Sequence, residues 1–342
     1  MKVLGIETSC DETAAAVVED GRKMLSNTVA SSMSEHVKYG GVVPEIAARS
    51  HIEVILPVIQ QALTDADCEW QDIDAIAVTQ GAGLGGSLLI GVMTARTLAI
   101  AHDKPLYAIN HVEAHVYANF LSAEPPEFPM LAIIVSGGHS QLVLFRGHFD
   151  YTVLGQTQDD AVGEAFDKVA KMLGLPYPGG PSVAQAAKKG DPNSFQLPKA
   201  KMDKYDFSFS GLKTAVLRQA QAAIGQPYDF PSTKLPERLS AAQKADLAAS
   251  FQRVAVETIA DKALLAYKEF SPASAVLAGG VAANQALRRQ LTEVIPLPLT
   301  FPPPELCTDN GAMVAALGCF KQMKNQPTAD PYTLDINPSL TM

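Results

Sequence analysis

One pattern occurs twice in this chain and restricts it more than any other: an apolar strand, a turn of small polar residues, and a second apolar run coming back beside the first. The first copy joins residues 3–6 to residues 14–18 through Thr8-Ser9-Cys10-Asp11-Glu12-Thr13. The second joins residues 131–135 to residues 141–145 through Ser136-Gly137-Gly138-His139-Ser140. Apolar runs of this length separated by turn residues predict hairpins, and two similar hairpins predict two similar lobes. A length of 342 residues agrees, being long for one ordinary core. Around the hairpins a strand, then glycines, then a helix recurs, which gives an α/β pattern. Residues 75–79 precede Gly81-Ala82-Gly83-Leu84-Gly85-Gly86 and a helix capped by Ser87. Residues 106–109 feed the helix that carries His111, and residues 275–277 end in Gly279-Gly280 before a helix through Leu287 and Leu291.

Helical patterns fill residues 161–263, interrupted at Tyr177-Pro178-Gly179-Gly180-Pro181 and again around residues 227–236. From Asn325 onward three prolines and little periodicity predict either a tail over the surface or a disordered end. With 47% hydrophobic and 18% charged residues the chain can bury sizeable cores and is not a disordered type. Residues 1–7 reach Glu7 before an apolar stretch builds, so no signal peptide is expected. The most apolar segment, residues 88–101, is broken by Arg96 and is shorter than the ~20 residues of a membrane span. Cys10, Cys68, Cys307 and Cys319 form no Cys-x-x-Cys pair, which points to reduced thiols and a cytoplasmic protein. The net charge of -9 makes bulk nucleic-acid binding unfavourable, so any RNA contact is local or shared with partners.

His111 and His115 are four apart in a helical segment, which puts both imidazoles on one face. With a carboxylate from elsewhere they form a two-histidine, one-carboxylate site with open positions, suited to ferrous iron or zinc. Asp309 is the leading candidate for the third ligand. The same spacing also arises by chance on a solvated helix face, and from local sequence alone Asp309 in Cys307-Thr308-Asp309-Asn310-Gly311 reads first as the N-cap of the helix that follows. A zinc-peptidase reading is disfavoured: Val112 follows the first histidine, and Glu113 lies about 100° further round the helix.

Ser136-Gly137-Gly138 and Gly279-Gly280 stand at strand ends, where missing side chains let backbone N–H groups approach a phosphate or ribose, although such pairs also serve as plain tight turns. Thr8, Ser9, Asp11 and Glu12 cluster in one turn, where Asp11 or Glu12 is a candidate general base or cation holder, against the reading of a solvated acidic turn. Lys199, Lys201, Lys204, Lys213 and Arg218, interleaved with Tyr205, Phe207 and Phe209, have the composition of an RNA-facing surface or of a solvated face.

Together and in this order, residues 5–13 (Gly-Ile-Glu-Thr-Ser-Cys-Asp-Glu-Thr), His111-x-x-x-His115, Ser136-Gly137-Gly138-His139 and Cys307-Thr308-Asp309-Asn310-Gly311 resemble the tRNA N6-adenosine threonylcarbamoyltransferase family in its bacterial form. Residues 40–45, 163–168, 177–181, 207–214 and 278–284 extend the resemblance over nearly the whole chain. It implies an α/β, two-lobed, actin-like and sugar-kinase-like fold with duplicated hairpin phosphate turns. The expected lobes are residues 1–115, completed by 320–342, and residues 116–319 with a helical insertion at about 160–265. It further implies transfer of a threonylcarbamoyl group from threonylcarbamoyl-adenylate to N6 of the adenosine just 3′ of the anticodon, with AMP released. The alternatives are a non-catalytic scaffold of the same fold and an ATP-dependent phosphotransferase. By the same resemblance His111, His115 and Asp309 hold one divalent metal, Fe(II) or zinc. Ile134, Val135, Ser136, Gly137, Gly138, Asp167, Gly180 and Asn284 hold the adenine nucleotide, threonylcarbamoyl-adenylate or ATP. Asp11 and Glu12 lie at the reacting end, with Asp11 or Glu12 as the base. The implied partners are tRNA, a catalytically silent paralogue of the same fold and a small ATPase.

Overall fold

The computed structural model describes residues 1–342, which divide into two compact units, one of residues 1–126 with 302–342 and one of residues 127–301. The first unit is built on a five-stranded sheet of β1 (Lys2–Glu7), β2 (Glu12–Glu19), β3 (Lys23–Ser31), β4 (Ala75–Gly81) and β5 (Leu106–Asn110). The order is β3-β2-β1-β4-β5, antiparallel through the first three strands and parallel from β1 to β5. Its helices are α1 (Met33–His36), α2 (Pro44–Asp65), α3 (Gly85–Ala101), α4 (His111–Tyr117), α11 (Pro304–Cys307) and α12 (Gly311–Met323).

Both faces of this sheet are covered, which is why β1 is apolar along nearly its whole length instead of alternating. On one face Leu4, Ile6, Ala15 and Val17 pack with Ile55, Ile59 and Leu63 of α2 and with Val92, Ala95 and Ala99 of α3. On the other face α12 lies against β1 and β2. Glycine makes that approach possible. A Cβ on Gly5 would stand 2.4 Å from both Ala315 N and Gly311 O, and one on Gly311 would stand 2.6 Å from the backbone of Ala15 and Ala16.

Both expected lobe boundaries are displaced. The chain after α4 continues as a 3-10 turn, Ala118–Leu121, inside the first unit. The segment 302–319, expected with the second lobe, belongs to the first because α12 packs on its central strands. The helix after the 81–86 turn starts at Gly85, with Leu84 as an N-cap that makes no side-chain bond. Ser87 is therefore not the cap; its hydroxyl donates instead to the carbonyl of Cys10 at 3.2 Å. The last residues form a tail on the first unit. The Arg96 guanidinium holds three of its carbonyls, Pro331 at 2.6 Å, Tyr332 at 2.6 Å and Leu334 at 3.2 Å, and the Leu334 side chain enters the core.

The second unit repeats the sheet plan with β6 (Met130–Val135), β7 (Ser140–Gly147), β8 (Asp150–Gln156), β9 (Ser274–Ala278) and β10 (Leu299–Thr300) in the order β10-β9-β6-β7-β8. Strands β6 to β8 are antiparallel, and β9 and β10 add in parallel on the other side of β6. Between β8 and β9 the chain runs through α5 (Val162–Leu173), α6 (Gly179–Ala187), α7 (Ser210–Ala223), α8 (Leu235–Arg238) and α9 (Ala241–Phe270), the helical run expected at about 160–265; α10 (Gln285–Val294) follows β9. The thirty-residue α9 starts on a capping box in which the Ser240 hydroxyl accepts Gln243 N and the Gln243 amide oxygen accepts Ser240 N. No helix is long and apolar enough to cross a membrane.

The contact at Gly5 gives a direct test. In Gly5→Ala the added methyl meets backbone, which cannot rotate away, so chemical denaturation is expected to show a loss of about 3 kcal/mol. A change within 0.5 kcal/mol would mean that α12 does not rest on β1 this closely.

Candidate functional site

Strand β5 ends at Asn110, whose side-chain oxygen accepts the backbone N–H groups of Val112 at 2.9 Å and Glu113 at 3.2 Å and so starts α4. All seven residues of α4 are buried, so His111 and His115 do not lie on a solvated face. Their rings meet edge to face with centroids 4.7 Å apart. Across from them Asp309 Oδ1 stands 3.6 Å from His111 Nε2 and 3.3 Å from His115 Nε2. One ligand atom from each of the three residues falls within a 4.8 Å cluster.

The reading of Asp309 as a helix cap is overturned. Asn310 caps α12: its oxygen accepts Met313 N at 3.0 Å, and its amide donates to Thr308 O at 2.7 Å and Leu306 O at 3.3 Å. With the neighbour doing the capping, the Asp309 carboxylate turns to the imidazoles. Asp and Asn cap helices about equally well, so only the fold decides which of the pair does so.

The first hairpin turn lies at the same end of the unit and is not a solvated acidic turn. Asp11 is buried, and its Oδ2 has no hydrogen-bond partner. Glu12 opens β2 and accepts the Ser31 hydroxyl at 3.2 Å. Burial, then the charges of Asp309 and Asp11, push the Glu12 carboxyl from 4.5 up to about 9. At His111 burial pulls down, but Asp309 and Glu7 outweigh it and raise the imidazole from 6.5 to about 9. A site in which Glu12 is held neutral and the His111 imidazole is held charged is short of positive charge. That shortage, with an orphaned Asp11 oxygen and two nitrogen donors facing an oxygen donor, fits a divalent cation of the iron or zinc type.

Three residues that sequence reasoning missed shape this turn. His51 is fully buried; its Nε2 donates to Cys10 O at 3.0 Å, leaving Nδ1 to accept the Thr13 hydroxyl at 2.7 Å. His36, also fully buried, accepts Val43 N on Nδ1 and meets the Ser32 hydroxyl through Nε2 at 3.0 Å, and that hydroxyl donates to Asp11 O at 2.9 Å. Glu7 is the third, with no exposed surface at all. No periodic signal marks the two histidines. Glu7 sits at the end of an apolar strand, where a buried carboxylate is the available clue.

In the second unit the turn after β6 is tight: Ser136 N donates to His139 O at 2.8 Å and His139 N to the Ser136 hydroxyl at 3.1 Å. A Cβ on Gly137, Gly138, Gly180 or Gly280 would meet nothing within 4 Å, so packing does not require glycine there. Gly279 differs: at a φ of 89° it needs glycine for its backbone conformation, and a Cβ would stand 2.5 Å from Val135 O. Ile134 and Val135 are fully buried and pair with β7, so neither presents a surface of its own and they carry the turn that follows. Asp167 accepts Gly179 N at 2.7 Å, and burial raises its carboxyl. Asn284 caps α10 through its oxygen, and its amide donates to Gln252 at 3.0 Å, so both ends of the side chain are engaged within the unit.

The basic stretch is not the aromatic RNA platform its composition allows. Phe207 and Phe209 are buried, and Tyr205 nearly so. Lys199 pairs with Glu257 at 3.0 Å and Asp261 at 2.7 Å, Lys204 pairs with Glu269, and Lys213 pairs with Asp160 at 2.7 Å. The alternation of basic and aromatic residues thus divides between surface and core.

The sequence model of the family described as tRNA N6-adenosine threonylcarbamoyltransferase matches residues 23–316. A protein of that name from Thermomicrobium roseum is 53% identical over 336 residues, covering 94% of this chain and 92% of the relative. One from Symbiobacterium thermophilum is 51% identical, covering 93% and 91%. One from Dehalococcoides mccartyi is 47% identical, covering 100% and 99%. Among solved structures, component A of the Acidaminococcus fermentans (R)-2-hydroxyglutaryl-CoA dehydratase aligns with a TM-score of 0.54 at 16% identity, covering 95% of this chain and 99% of that one. Full-length HypF aligns at 0.58 and 14%, covering 94% and 55%. The fold is α/β of the actin-like, sugar-kinase-like class.

The two raised groups act in the same direction on the metal-free protein. Glu12, raised from 4.5, contributes stability that is complete below pH 4.5 and is lost as pH rises through about 9. His111, raised from 6.5, contributes stability complete below pH 6.5 and lost over the same rise. The denaturation midpoint of the metal-free protein is therefore expected to fall between pH 6.5 and 9, and to fall less with zinc bound. A flat profile without metal would contradict the crowding of carboxyls around His111.

Proposed function

Since the chain belongs to the tRNA N6-adenosine threonylcarbamoyltransferase family, we propose that it moves a threonylcarbamoyl group from threonylcarbamoyl-adenylate to N6 of the adenosine just 3′ of the tRNA anticodon, using a divalent metal held by His111, His115 and Asp309. The observation that carries this reading is the convergence of two imidazoles and one carboxylate within 4.8 Å, beside the buried Asp11 and the half-buried Glu12. We assign iron(II) first and zinc second, because a two-histidine, one-carboxylate set with open positions suits both. When bound, the metal supplies Lewis-acid stabilisation of the negative charge that builds on the carbonyl or the leaving phosphate.

The bond changes are those of acyl transfer at a mixed anhydride. The exocyclic amine attacks the carbamoyl carbon and a new N–C bond forms. The bond from that carbon to the bridging phosphate oxygen breaks, and AMP leaves with the electron pair. The amine proton has to go to a base, because an adenine amine is a weak nucleophile. Asp11 and Glu12 are the groups we assign to it: Asp11 has a buried oxygen without a partner, and the turn that carries both is fixed by His51, Ser87 and Ser32 on the carbonyls of Cys10 and Asp11.

We assign the adenylate to the second unit's turns, at the strand end formed by Ile134 and Val135 and the turn of Ser136, Gly137 and Gly138, with the open backbone at Gly180 and the Asp167 carboxylate. Asn284 serves there by capping α10. Because Lys199, Lys204 and Lys213 are committed to ion pairs and the net charge is -9, tRNA binding is shared with partners, for which the catalytically silent paralogue and the small ATPase are our candidates. An intact ligand set speaks against the scaffold reading, and a phosphotransferase has no use for paired histidines.

The test is to incubate the protein with threonylcarbamoyl-adenylate and unmodified tRNA, with and without the partner proteins, and to measure threonylcarbamoyladenosine in digested RNA by mass spectrometry. Product is expected, and it is expected to vanish in the His111→Ala, His115→Ala double variant. No product under any partner condition, with metal and adenylate bound, would favour the scaffold. In single turnover at least one of Asp11→Ala and Glu12→Ala is expected to slow transfer by about 100-fold or more. Full rates in both would remove them as bases.

A further inference from the structure

Glu7 ends β1 with its whole side chain buried, a placement that is strongly unfavourable unless the charge is paired and hydrogen-bonded. Its pairing is complete. Oε1 accepts Ser9 N at 2.5 Å, Oε2 accepts the Thr79 hydroxyl at 2.6 Å, and the same Oε2 stands 3.2 Å from His111 Nδ1. Thr79, on the neighbouring strand β4, is itself fully buried. His111 thus has one ring nitrogen on a fixed carboxylate and the other, Nε2, on the side of Asp309. Its companion is held differently: His115 Nδ1 is buried with no hydrogen-bond partner. Of the two imidazoles, one is braced and one is not.

We propose that Glu7 is a positioning residue for the metal: it accepts the Nδ1 proton of His111, so that the Nε2 lone pair is presented to the ion, and Thr79 holds the carboxylate in place for this. A ligand histidine whose far nitrogen donates to a carboxylate is fixed in tautomer and ring orientation and is a stronger base towards the metal. The Ser9 hydroxyl, 3.1 Å from the same Nδ1, lies beside this bond and closes the remaining approach to the nitrogen. The inference rests on reading His111, His115 and Asp309 as the ligands. It adds that the strength of the site is set in part by a residue that never touches the ion.

The experiment is a cobalt(II) titration of the full-length protein against a competing chelator, read by visible absorption, for the unsubstituted protein and for Glu7→Gln, Thr79→Val and His111→Ala. The melting temperature of each metal-free form is recorded alongside. Glu7→Gln is expected to weaken cobalt binding by about 10- to 100-fold with an altered visible spectrum. Thr79→Val is expected to weaken it less, in the same direction, and it decides the matter if Glu7→Gln does not fold. Cobalt affinity within twofold of the unsubstituted protein in the folded variant, while His111→Ala has lost binding, would overturn the role of Glu7. A lowered melting temperature with unchanged affinity would overturn it too, leaving Glu7 a structural residue. If His111→Ala binds as well as the unsubstituted protein, the metal-ligand reading itself fails and this inference goes with it.

Discussion

The close approach of α12 to β1 is the constraint on which the rest of the first unit depends. Gly5 and Gly311 let a helix backbone rest on a strand backbone with no side chain between them, and that contact fixes where α12 begins. Asn310 caps the helix at that point, and the residue before it, Asp309, is delivered to the imidazoles of α4. Parallel pairing of β4 with β5 places the start of α4 at the same end of the sheet as the β1–β2 turn. Three segments far apart in sequence, around residues 10, 111 and 309, are therefore brought together by backbone packing, and Glu7, Ser9, His111, His115 and Asp309 then meet side chain to side chain.

The electrostatics of the meeting point follow from burial. Asp309, Asp11, Glu12 and Glu7 are brought near one another, and Glu7 and Glu12 answer the crowding in opposite ways. At Glu7 burial opposes the charge, but His111 and the Ser9 hydrogen bond hold the carboxyl below its usual range. Glu12, with only a serine hydroxyl to help it, is held neutral instead. Burial is the larger cause of that neutrality, and the charge of Asp309, the next, is the part a divalent ion at the two histidines and Asp309 would offset.

Much of this was legible in the sequence, for identifiable reasons. The two hairpins were visible because apolar strands of similar length flank turns rich in small polar residues, and the histidine pair was visible because a spacing of four places both on one helical face. Asp309 needed the family resemblance, since nothing in its local sequence separates a ligand from a cap; that Asn310 takes the cap is a fact of tertiary structure. Glu7 was passed over because its strand reads as an apolar run whose last residue could as well be exposed. Phe207 and Phe209 were misplaced because interleaved lysines suggest a surface, whereas the carboxylates that hold those lysines, at residues 160, 257, 261 and 269, lie far from most of them in sequence. Lobe boundaries failed for a similar reason, because α12 returns to the first sheet after the whole second unit has been completed.

X-ray absorption spectroscopy of the iron- or zinc-loaded protein addresses the metal site most directly, since it reads the atoms bound to the ion. Two imidazole nitrogens at about 2.0–2.1 Å and a carboxylate oxygen are expected, and the imidazole scattering should fall by half in His115→Ala. A first shell containing sulfur, or one of oxygen alone that His115→Ala leaves unchanged, would place the ion elsewhere and contradict the site described for His111, His115 and Asp309.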